Sequence, residues 1–228
     1  MRQLLLDWGA ARPRTLDSFV VGRNRELAAL LRAITNEAAD AVGHRLLLIW
    51  GEAGAGKSHL LNALSVNPIA KLLTPTASVD AFSWSVAISI YLIDDCDQLD
   101  ETRQQALFHL INQVRDNGSI LVASAKQAPL QLALREDLRT RLGWGLVYQL
   151  HGLSDEEKID ALSKSAEARG LSLSAGVLPY LLTHFRRDMQ SLSTMLDALD
   201  RYSLETQRPI TLPLLRELLQ TGDTTTAP

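Results

Sequence analysis

The sequence has 228 residues, of which 46% are hydrophobic and 21% are charged, so the chain is long enough to bury a sizeable core. Its formal net charge is -3, which excludes a general positive field drawing the chain to DNA or to a membrane surface. The sequence has one cysteine, Cys96, which excludes an intramolecular disulfide and a cysteine-based zinc site. Because it shows no secretory signal and no membrane-spanning run, we expect a cytoplasmic protein with no membrane partner.

The first part of the chain alternates short apolar runs with helical periodicity. A helix is predicted from about Asn24, a second helix carries the leucines at 60, 61 and 64, and a third spans 101–115. Strands are predicted over 46–50, 87–94, 120–123 and 146–150. This alternation predicts a parallel α/β sheet, whereas the stretch 65–85, interrupted by Pro68 and Pro75, is assigned no element.

After Leu150 the pattern becomes wholly helical. Ser154 and Glu157 have the spacing of a capping box, and Gly170 is placed to end the helix that begins there. Further helices are predicted from about residues 174, 188 and 213. We therefore expect a second, all-helical subdomain from about residue 153.

A glycine-rich turn after the first predicted strand carries the clearest chemical signal, because residues 51–58 fit the phosphate-binding pattern G-x-x-x-x-G-K-S/T. Its glycines let backbone N–H groups turn towards phosphate oxygens, Lys57 supplies a positive charge, and Ser58 offers an oxygen to Mg²⁺. The alternative is a fortuitous glycine turn. His59, which follows, is interpreted as a helix-surface or packing residue rather than a catalyst. The predicted nucleotide-binding residues of this segment are Gly51, Glu52, Ala53, Gly54, Ala55, Gly56, Lys57, Ser58 and His59.

The segment that ends in Asp94 and Asp95 has the form of the second element of a phosphate-binding site. A buried strand there ends in a carboxylate that can hold the shell of a Mg²⁺ ion, and Asp94 is the candidate. Asp95 is placed to orient an attacking water. The alternative is an acid-rich helix start, which the helix dipole favours by itself, and for Asp95 both interpretations stay open.

Three segments together resemble the bacterial replication initiator family, DnaA, over about residues 16–220: Phe19–Asn24, the phosphate loop with the Ser-His-Leu-Leu that begins at Ser58, and the Asp94–Asp95 pair. The resemblance implies an α/β fold of the P-loop AAA+ type, with a parallel sheet flanked by helices and then a small helical lid. It also implies ADP or ATP, with Mg²⁺, as the cofactor. By the same resemblance Val20 and Val21 lie near the adenine ring; core packing is the alternative for both valines.

The match is closer to a shortened branch of that family, the regulatory inactivators of DnaA (Hda). Only residues 221–228 follow the last predicted helix, fewer than the initiator's DNA-binding domain needs. Gln3, Leu4 and Leu6 resemble a short motif by which such proteins dock on the DNA sliding clamp, with the leucines entering a pocket and the glutamine making directional hydrogen bonds. The alternative is an arm that packs on its own domain.

Two arginines take roles from the resemblance. Arg141 lies in a segment similar to the one bearing the family's arginine finger, which places positive charge on the γ-phosphate of a neighbouring subunit's ATP. Arg187 lies in a segment similar to the lid's nucleotide sensor and would touch the bound nucleotide. The alternative for Arg141 is an ordinary surface arginine, and for Arg187 it is a helix-cap or surface arginine. The neighbouring Arg139 is interpreted as solvated, and Arg186 is the other candidate for the sensor.

Two departures from the family bear on catalysis. The family's acidic residue after the third predicted strand is missing, since residues 124–126 are Ser-Ala-Lys, and Asp95 occupies the place of a catalytic glutamate. We therefore expect weak intrinsic hydrolysis and a retained nucleotide, with ADP favoured over ATP.

The expected organisation is a clamp-binding tail over 1–15, an α/β nucleotide-binding subdomain over 16–152, a helical lid over 153–220 and a flexible C-terminus over 221–228. The expected function is to stimulate ATP hydrolysis by the initiator DnaA while docked on the sliding clamp, preventing re-initiation, with Arg141 and Asp95 as the catalytic candidates. DNA is reached indirectly through the clamp, and the alternative to a monomer is a homo-oligomer of this chain. The alternatives are a helicase-loader-like or truncated initiator ATPase acting on DNA, and an ATPase of unrelated metabolism.

Overall fold

A computed structural model describes residues 14–36 and 45–223 of the chain. The described residues divide into two compact units, whose boundary lies between Gly152 and Leu153. Among these residues, no helix combines the length and the apolar character that crossing a lipid bilayer requires.

The first unit is a five-stranded parallel sheet with helices on both faces. The strand order is β2-β3-β4-β1-β5, and every neighbouring pair is parallel. Its strands are β1 (Leu46–Trp50), β2 (Ala70–Leu73), β3 (Ile90–Ile93), β4 (Ile120–Ala125) and β5 (Leu146–Gln149). Its helices are α1 (Arg25–Asn36), α2 (Lys57–Ser65), α3 (Glu101–Asp116) and α4 (Glu136–Leu142).

The two faces of the sheet have separate cores because successive strand residues point to opposite sides. Leu48 of β1 packs with buried residues of α3 and α4. Its neighbours Leu47 and Ile49 pack instead with buried residues of α1 and α2. Strand β3 is buried throughout, as expected for a central parallel strand covered on both faces.

The register brings the carboxyl ends of three strands to one edge of the sheet. Trp50 lies beside Ala125, and Ile93 lies beside Ala123. The residues that follow β1 and β3, together with the last residues of β4, therefore meet at this edge, where open α/β sheets bind their ligands.

The sheet has one strand more than the sequence analysis predicted. Strand β2 lies inside the stretch 65–85, to which the sequence pattern assigned no element. It is an edge strand of four residues with one buried side chain, Leu73, and it pairs only with β3. The Lys71 ammonium donates to the carbonyl oxygen of Ala81 over 2.6 Å, so part of this segment's order comes from a polar contact.

The second unit consists of helices α5 (Asp155–Glu167), α6 (Val177–His184), α7 (Met189–Thr206) and α8 (Leu212–Asp223) around its own apolar core. The predicted capping box is present: Ser154 Oγ accepts from the backbone N–H of Glu157 over 3.2 Å, and Glu157 Oε2 accepts from that of Ser154 over 2.8 Å. Helix α6 begins three residues later than predicted, because Gly176, at its N-cap, has a φ of 90°, outside the right-handed helical region.

Candidate functional site

The phosphate loop joins the end of β1 to the start of α2 and has a backbone that needs glycine. Gly54 and Gly56 have positive φ angles of 79° and 108°, a region that side chains disfavour. A Cβ atom at Gly51 would lie 2.4 Å from the carbonyl oxygen of Leu150. Three glycines of the motif are therefore required by the geometry of the loop itself.

Lys57, the first residue of α2, is 6% exposed, and its ammonium donates to the carbonyl oxygens of Gly51 over 2.7 Å and Glu52 over 2.9 Å. Burial lowers the pKa of Lys57, although the carboxylates of Asp95, Asp97 and Asp94 act in the opposite direction. A phosphate group entering the loop would exchange these neutral acceptors for charged ones, which form the stronger hydrogen bonds.

Asp94 and Ser124 join the ends of β3 and β4. The Ser124 hydroxyl donates to Asp94 Oδ1 over 2.7 Å and accepts the backbone N–H of Asp95 over 2.8 Å. Ser124 is fully buried and Asp94 is 9% exposed, so the carboxylate is held in one orientation by a side chain that cannot move freely. Residues 124–126 stand out in the sequence only for their missing acid, and no local pattern identifies this hydroxyl as a site residue.

Asp95 combines two features that are common at functional sites. Its φ is 46°, in the left-handed region that residues other than glycine rarely adopt. Burial, followed by the nearby carboxylates of Asp94 and Asp97, raises the pKa of Asp95 above its ordinary value. A perturbed carboxyl on a strained backbone favours a functional interpretation over a simple helix start.

Ser58 and Asp94 supply the oxygen types that Mg²⁺ prefers. The described residues contain no group of three or more histidine, cysteine or acidic side chains that would hold a metal ion by themselves. Mg²⁺ is commonly bound through one or two protein oxygens plus phosphate oxygens and water, so a hydroxyl and a buried carboxylate fit it.

The turn that carries Val20 and Val21 is fixed by a residue that the sequence analysis did not select. Both valines are partly buried, and Gly22 follows with a φ of 49°. Asn24 Nδ2 donates to the carbonyl oxygens of Val21 over 3.1 Å and His151 over 2.9 Å. The signal available was a polar residue before an amphipathic helix, which usually indicates only a helix start.

His59 connects α2 to the segment before this turn. Its Nε2 lies 3.0 Å from the carbonyl oxygen of Thr15 and 3.3 Å from Ser18 Oγ, and its ring centroid lies 5.8 Å from that of Phe19. Burial lowers the pKa of His59, whereas the hydrogen bond with the Thr15 backbone acts to raise it. The side chain therefore contacts the protein's own backbone, as expected of a packing residue.

Arg141 lies on α4, where two aromatic rings surround its guanidinium. The Cζ atom is 4.9 Å from the ring centroid of Phe108 and 4.5 Å from that of Trp144. The guanidinium also donates to Asn112 Oδ1. Trp144 is 59% exposed, so this arrangement lies at the protein surface. The pocket beside it is lined by Phe108, Arg135, Glu136, Asp137, Thr140, Arg141 and Trp144.

Arg187 belongs to the second unit, just before α7. Its Nε donates to the carbonyl oxygen of Leu182 over 3.2 Å, and its side chain is 64% exposed. The Arg186 side chain is 78% exposed, and its Nε lies 3.4 Å from Asp188 Oδ2. Contact of either arginine with a nucleotide stays a prediction. The predicted clamp-binding residues Gln3, Leu4 and Leu6 lie outside the described residues.

Family models cover most of the chain. The model for the bacterial DnaA ATPase domain matches residues 11–79 and 76–149, and the model for the Hda lid domain matches residues 155–219. A Haemophilus influenzae protein described as uncharacterized is 33% identical over 90% of this chain and 93% of its own length.

Solved structures share the fold. Domain III of the Thermotoga maritima replication initiation protein DnaA has a TM-score of 0.72 at 22% identity, covering 92% of this chain and 96% of its own. AMPPCP-bound DnaA from Aquifex aeolicus has a TM-score of 0.67 at 18% identity, covering 85% of this chain and 67% of its own. The Thermotoga maritima RuvB Holliday junction branch migration motor has a TM-score of 0.65 at 15% identity, covering 94% of this chain and 72% of its own. These likenesses confirm the predicted fold class, a P-loop AAA+ sheet followed by a helical lid.

Proposed function

Because this chain belongs to the DnaA-related AAA+ family and carries a lid of the Hda type, we propose that it regulates replication initiation by stimulating ATP hydrolysis in the initiator DnaA. In this proposal the reaction takes place in the initiator's nucleotide site. The chain contributes a positive charge from outside that site and binds an adenine nucleotide in its own.

The observation that carries the proposal is the setting of Arg141. Its guanidinium is held at the surface by Phe108, Trp144 and the amide oxygen of Asn112. None of these partners carries a negative charge, so they orient the cation without neutralising it. Such a cation is suited to bind an anionic group on a second protein. Because the two rings already restrict the Arg141 side chain, less of its conformational freedom is lost when it binds.

The chemistry follows from charge. Negative charge on the transferring phosphoryl oxygens must be stabilised in the transition state of ATP hydrolysis, and a positioned arginine does this without having to reorganise. Arg141 would place its guanidinium against the γ-phosphate of ATP bound to the initiator. The water and its activating groups belong to the initiator's own site.

The chain's own phosphate loop would hold ADP or ATP, as the Aquifex aeolicus relative holds AMPPCP. Lys57 would bind the phosphates, while Ser58 and Asp94 would hold Mg²⁺, which supplies charge neutralisation when bound. The base would lie near Val20 and Val21, and the phosphates would lie near His59. Arg187 would approach the nucleotide from the lid. Asp95 is the one candidate here to orient a water, and we expect it to support only slow hydrolysis.

Docking completes the proposal. Residues 1–15 would form the tail that carries Gln3, Leu4 and Leu6 to the sliding clamp, so that DNA is reached through the clamp in the cytoplasm. Residues 16–152 would be the nucleotide-binding subdomain, 153–220 the lid and 221–228 a flexible end. A second copy of this chain is a further partner that the same arginine could meet.

The test measures ATP hydrolysis by DnaA with this chain and clamp-loaded DNA. Arg141→Ala is expected to abolish the stimulation while leaving ADP affinity and clamp binding unchanged. Arg139→Ala, two residues away on α4, is the matched control and should retain the stimulation. Deleting residues 1–7 should remove clamp binding and the stimulation together.

Two outcomes would count against the proposal. Full stimulation by the Arg141→Ala variant would remove this residue from the mechanism. Binding of single-stranded DNA by this chain alone, with affinity falling steeply as salt rises, would favour an AAA+ protein that acts on DNA directly.

A further inference from the structure

Asn24 is a buried polar residue whose side-chain amide bonds both to its own turn, at Val21, and to a segment far along the chain, at His151. It is 5% exposed. Its Nδ2 donates to the carbonyl oxygens of Val21 over 3.1 Å and His151 over 2.9 Å, and its Oδ1 accepts the backbone N–H of His151 over 2.9 Å. The side chain therefore connects the Val21 turn to a segment that lies 127 residues after Asn24.

That later segment also contacts the phosphate loop. The backbone N–H of Leu150 donates to the carbonyl oxygen of Trp50 over 2.7 Å, at the point where the loop begins. A Cβ atom at Gly51 would meet the Leu150 carbonyl oxygen at 2.4 Å, and one at Gly152 would lie 4.0 Å from the Cα of Ala55. Residues 150–152 thus contact the phosphate loop directly and the Val21 turn through Asn24.

We propose that Asn24 is a positioning residue for nucleotide recognition, which holds the Val20–Gly22 turn at a fixed distance from the phosphate loop. This inference rests on the proposed nucleotide binding. A nucleotide whose phosphates occupy the loop then meets a base-contacting turn that is already ordered. Without the Asn24 side chain the turn keeps its backbone bond from the N–H of residue 24 to the Val21 carbonyl oxygen, but it loses its link to residues 150–152. The turn would then have to be positioned on binding, which lowers affinity for the base and ribose but not for the phosphates.

The chemistry of the position favours an amide. Asparagine offers one acceptor and two donor hydrogens, which match one N–H and two carbonyl oxygens here. Aspartate keeps the acceptor for His151 but loses both donors and places a negative charge against the carbonyl oxygens of Val21 and His151. Alanine loses all three side-chain bonds and leaves the N–H and carbonyl oxygen of His151 without these partners, whereas the Val21 carbonyl oxygen keeps the backbone N–H of residue 24 as a donor.

The experiment compares two ligands that differ in the base and ribose. The affinity of the full-length chain for ADP and for inorganic pyrophosphate is measured by calorimetry with Mg²⁺, and the ratio of the two affinities isolates the base and ribose. We expect Asn24→Ala and Asn24→Asp to lower this ratio about tenfold, the size expected for one or two net hydrogen bonds, with pyrophosphate affinity unchanged.

Ser119→Ala is the matched control. Ser119 is 6% exposed, and its hydroxyl lies 3.3 Å from Trp84 Nε1 and 3.3 Å from the carbonyl oxygen of Ile88. It directly precedes β4, whereas the phosphate loop follows β1 at the opposite edge of the parallel sheet. Its loss therefore removes buried hydrogen bonds without reaching the nucleotide, and the affinity ratio should equal that of the wild type.

Each outcome decides the matter. An unchanged ratio in the Asn24 variants, or an equal fall in both affinities, would overturn the positioning role. If Asn24→Ala does not fold, Asn24→Asp, which keeps the shape and the bond from His151, decides alone. A wild type that bound neither ligand would instead refute the proposed nucleotide binding.

Discussion

Ser124 donates its hydroxyl hydrogen to Asp94 over 2.7 Å, joining the carboxyl ends of two neighbouring strands. The same oxygen accepts the backbone N–H of Asp95, so one hydroxyl fixes both acidic residues of the candidate site. An acidic side chain at this point would add a negative charge beside them, and like charges at close range are unfavourable. The serine therefore suits a site that holds its carboxylate firmly.

Replacing Ser124 with alanine is expected to destabilise the protein and weaken the metal-dependent part of nucleotide binding. The variant leaves a buried carboxylate oxygen and a backbone N–H without their partner, which costs about 1–3 kcal/mol. Urea unfolding measures the first effect, and ADP titration with and without Mg²⁺ measures the second. Ser119→Ala should share the loss of stability but retain the full effect of Mg²⁺. A Ser124→Ala protein with wild-type stability would contradict the hydrogen-bonding scheme.

Trp144 is expected to set how well Arg141 works in the proposed stimulation. Removing its ring in Trp144→Ala takes away one cation–π contact, of about 0.5–2 kcal/mol, which predicts a stimulated rate lower by roughly fivefold. Trp144→Phe retains a ring and should recover most of the rate. Because Trp144 is 59% exposed, the melting temperatures should differ little. A rate in Trp144→Ala equal to or above that of the wild type would show that the ring does not assist the arginine.

Features set by neighbouring residues could be predicted from the sequence. The capping box at Ser154 and Glu157 depends on groups three residues apart, and both of its hydrogen bonds are present. Strand β1 is an unbroken apolar run, and its predicted ends agree with the structure. Strand β2 could not be found in this way. Its order comes from pairing with β3 and from the contact of Lys71 with Ala81, which a local pattern does not contain.

The candidate site divides in the same way. The phosphate loop and the Asp94–Asp95 pair carry their chemistry in consecutive residues, so motif and spacing could identify them. Ser124 reaches Asp94 across 30 positions, and Asn24 reaches His151 across 127. Contacts at such separations depend on the order of the strands in the sheet, which was not predicted. Contact between Arg187 and a bound nucleotide stays a prediction.

The start of helix α7 should make stability depend on pH in the acid range. Asp188 caps this helix by accepting the backbone N–H of Ser191 over 2.9 Å. Burial acts to raise the pKa of Asp188, but the hydrogen bonds from Ser191 and the charge of Arg186 hold it below the ordinary value of 3.8. A lowered pKa in the folded state means that this stabilisation is present above 3.8 and is lost as pH falls through the folded-state pKa.

Asp188→Asn separates capping from charge, because asparagine caps helices well but does not titrate. We expect the stability difference between wild type and Asp188→Asn to shift against the wild type as the pH of thermal unfolding is lowered below 3.8. Asp188→Ala removes the cap and should cost about 1 kcal/mol at neutral pH. A difference between wild type and Asp188→Asn that stays constant from neutral to acid pH would show that the carboxylate is not stabilised in the folded protein.

Gly145 is expected to tolerate no side chain, although nothing in the local sequence pattern marks it. It immediately precedes β5, and a Cβ atom there would lie 2.0 Å from the carbonyl oxygen of Leu46 and 2.6 Å from its carbon, both rigid backbone atoms of β1. Gly145→Ala must therefore push β5 away from β1, which predicts a loss of about 3 kcal/mol or more. Gly170→Ala is the comparison: it has a φ of 71° but no atom within 4 Å, so only about 1–2 kcal/mol of backbone strain is expected. Urea unfolding of both variants gives the comparison, and equal losses would mean that β5 does not approach β1 this closely.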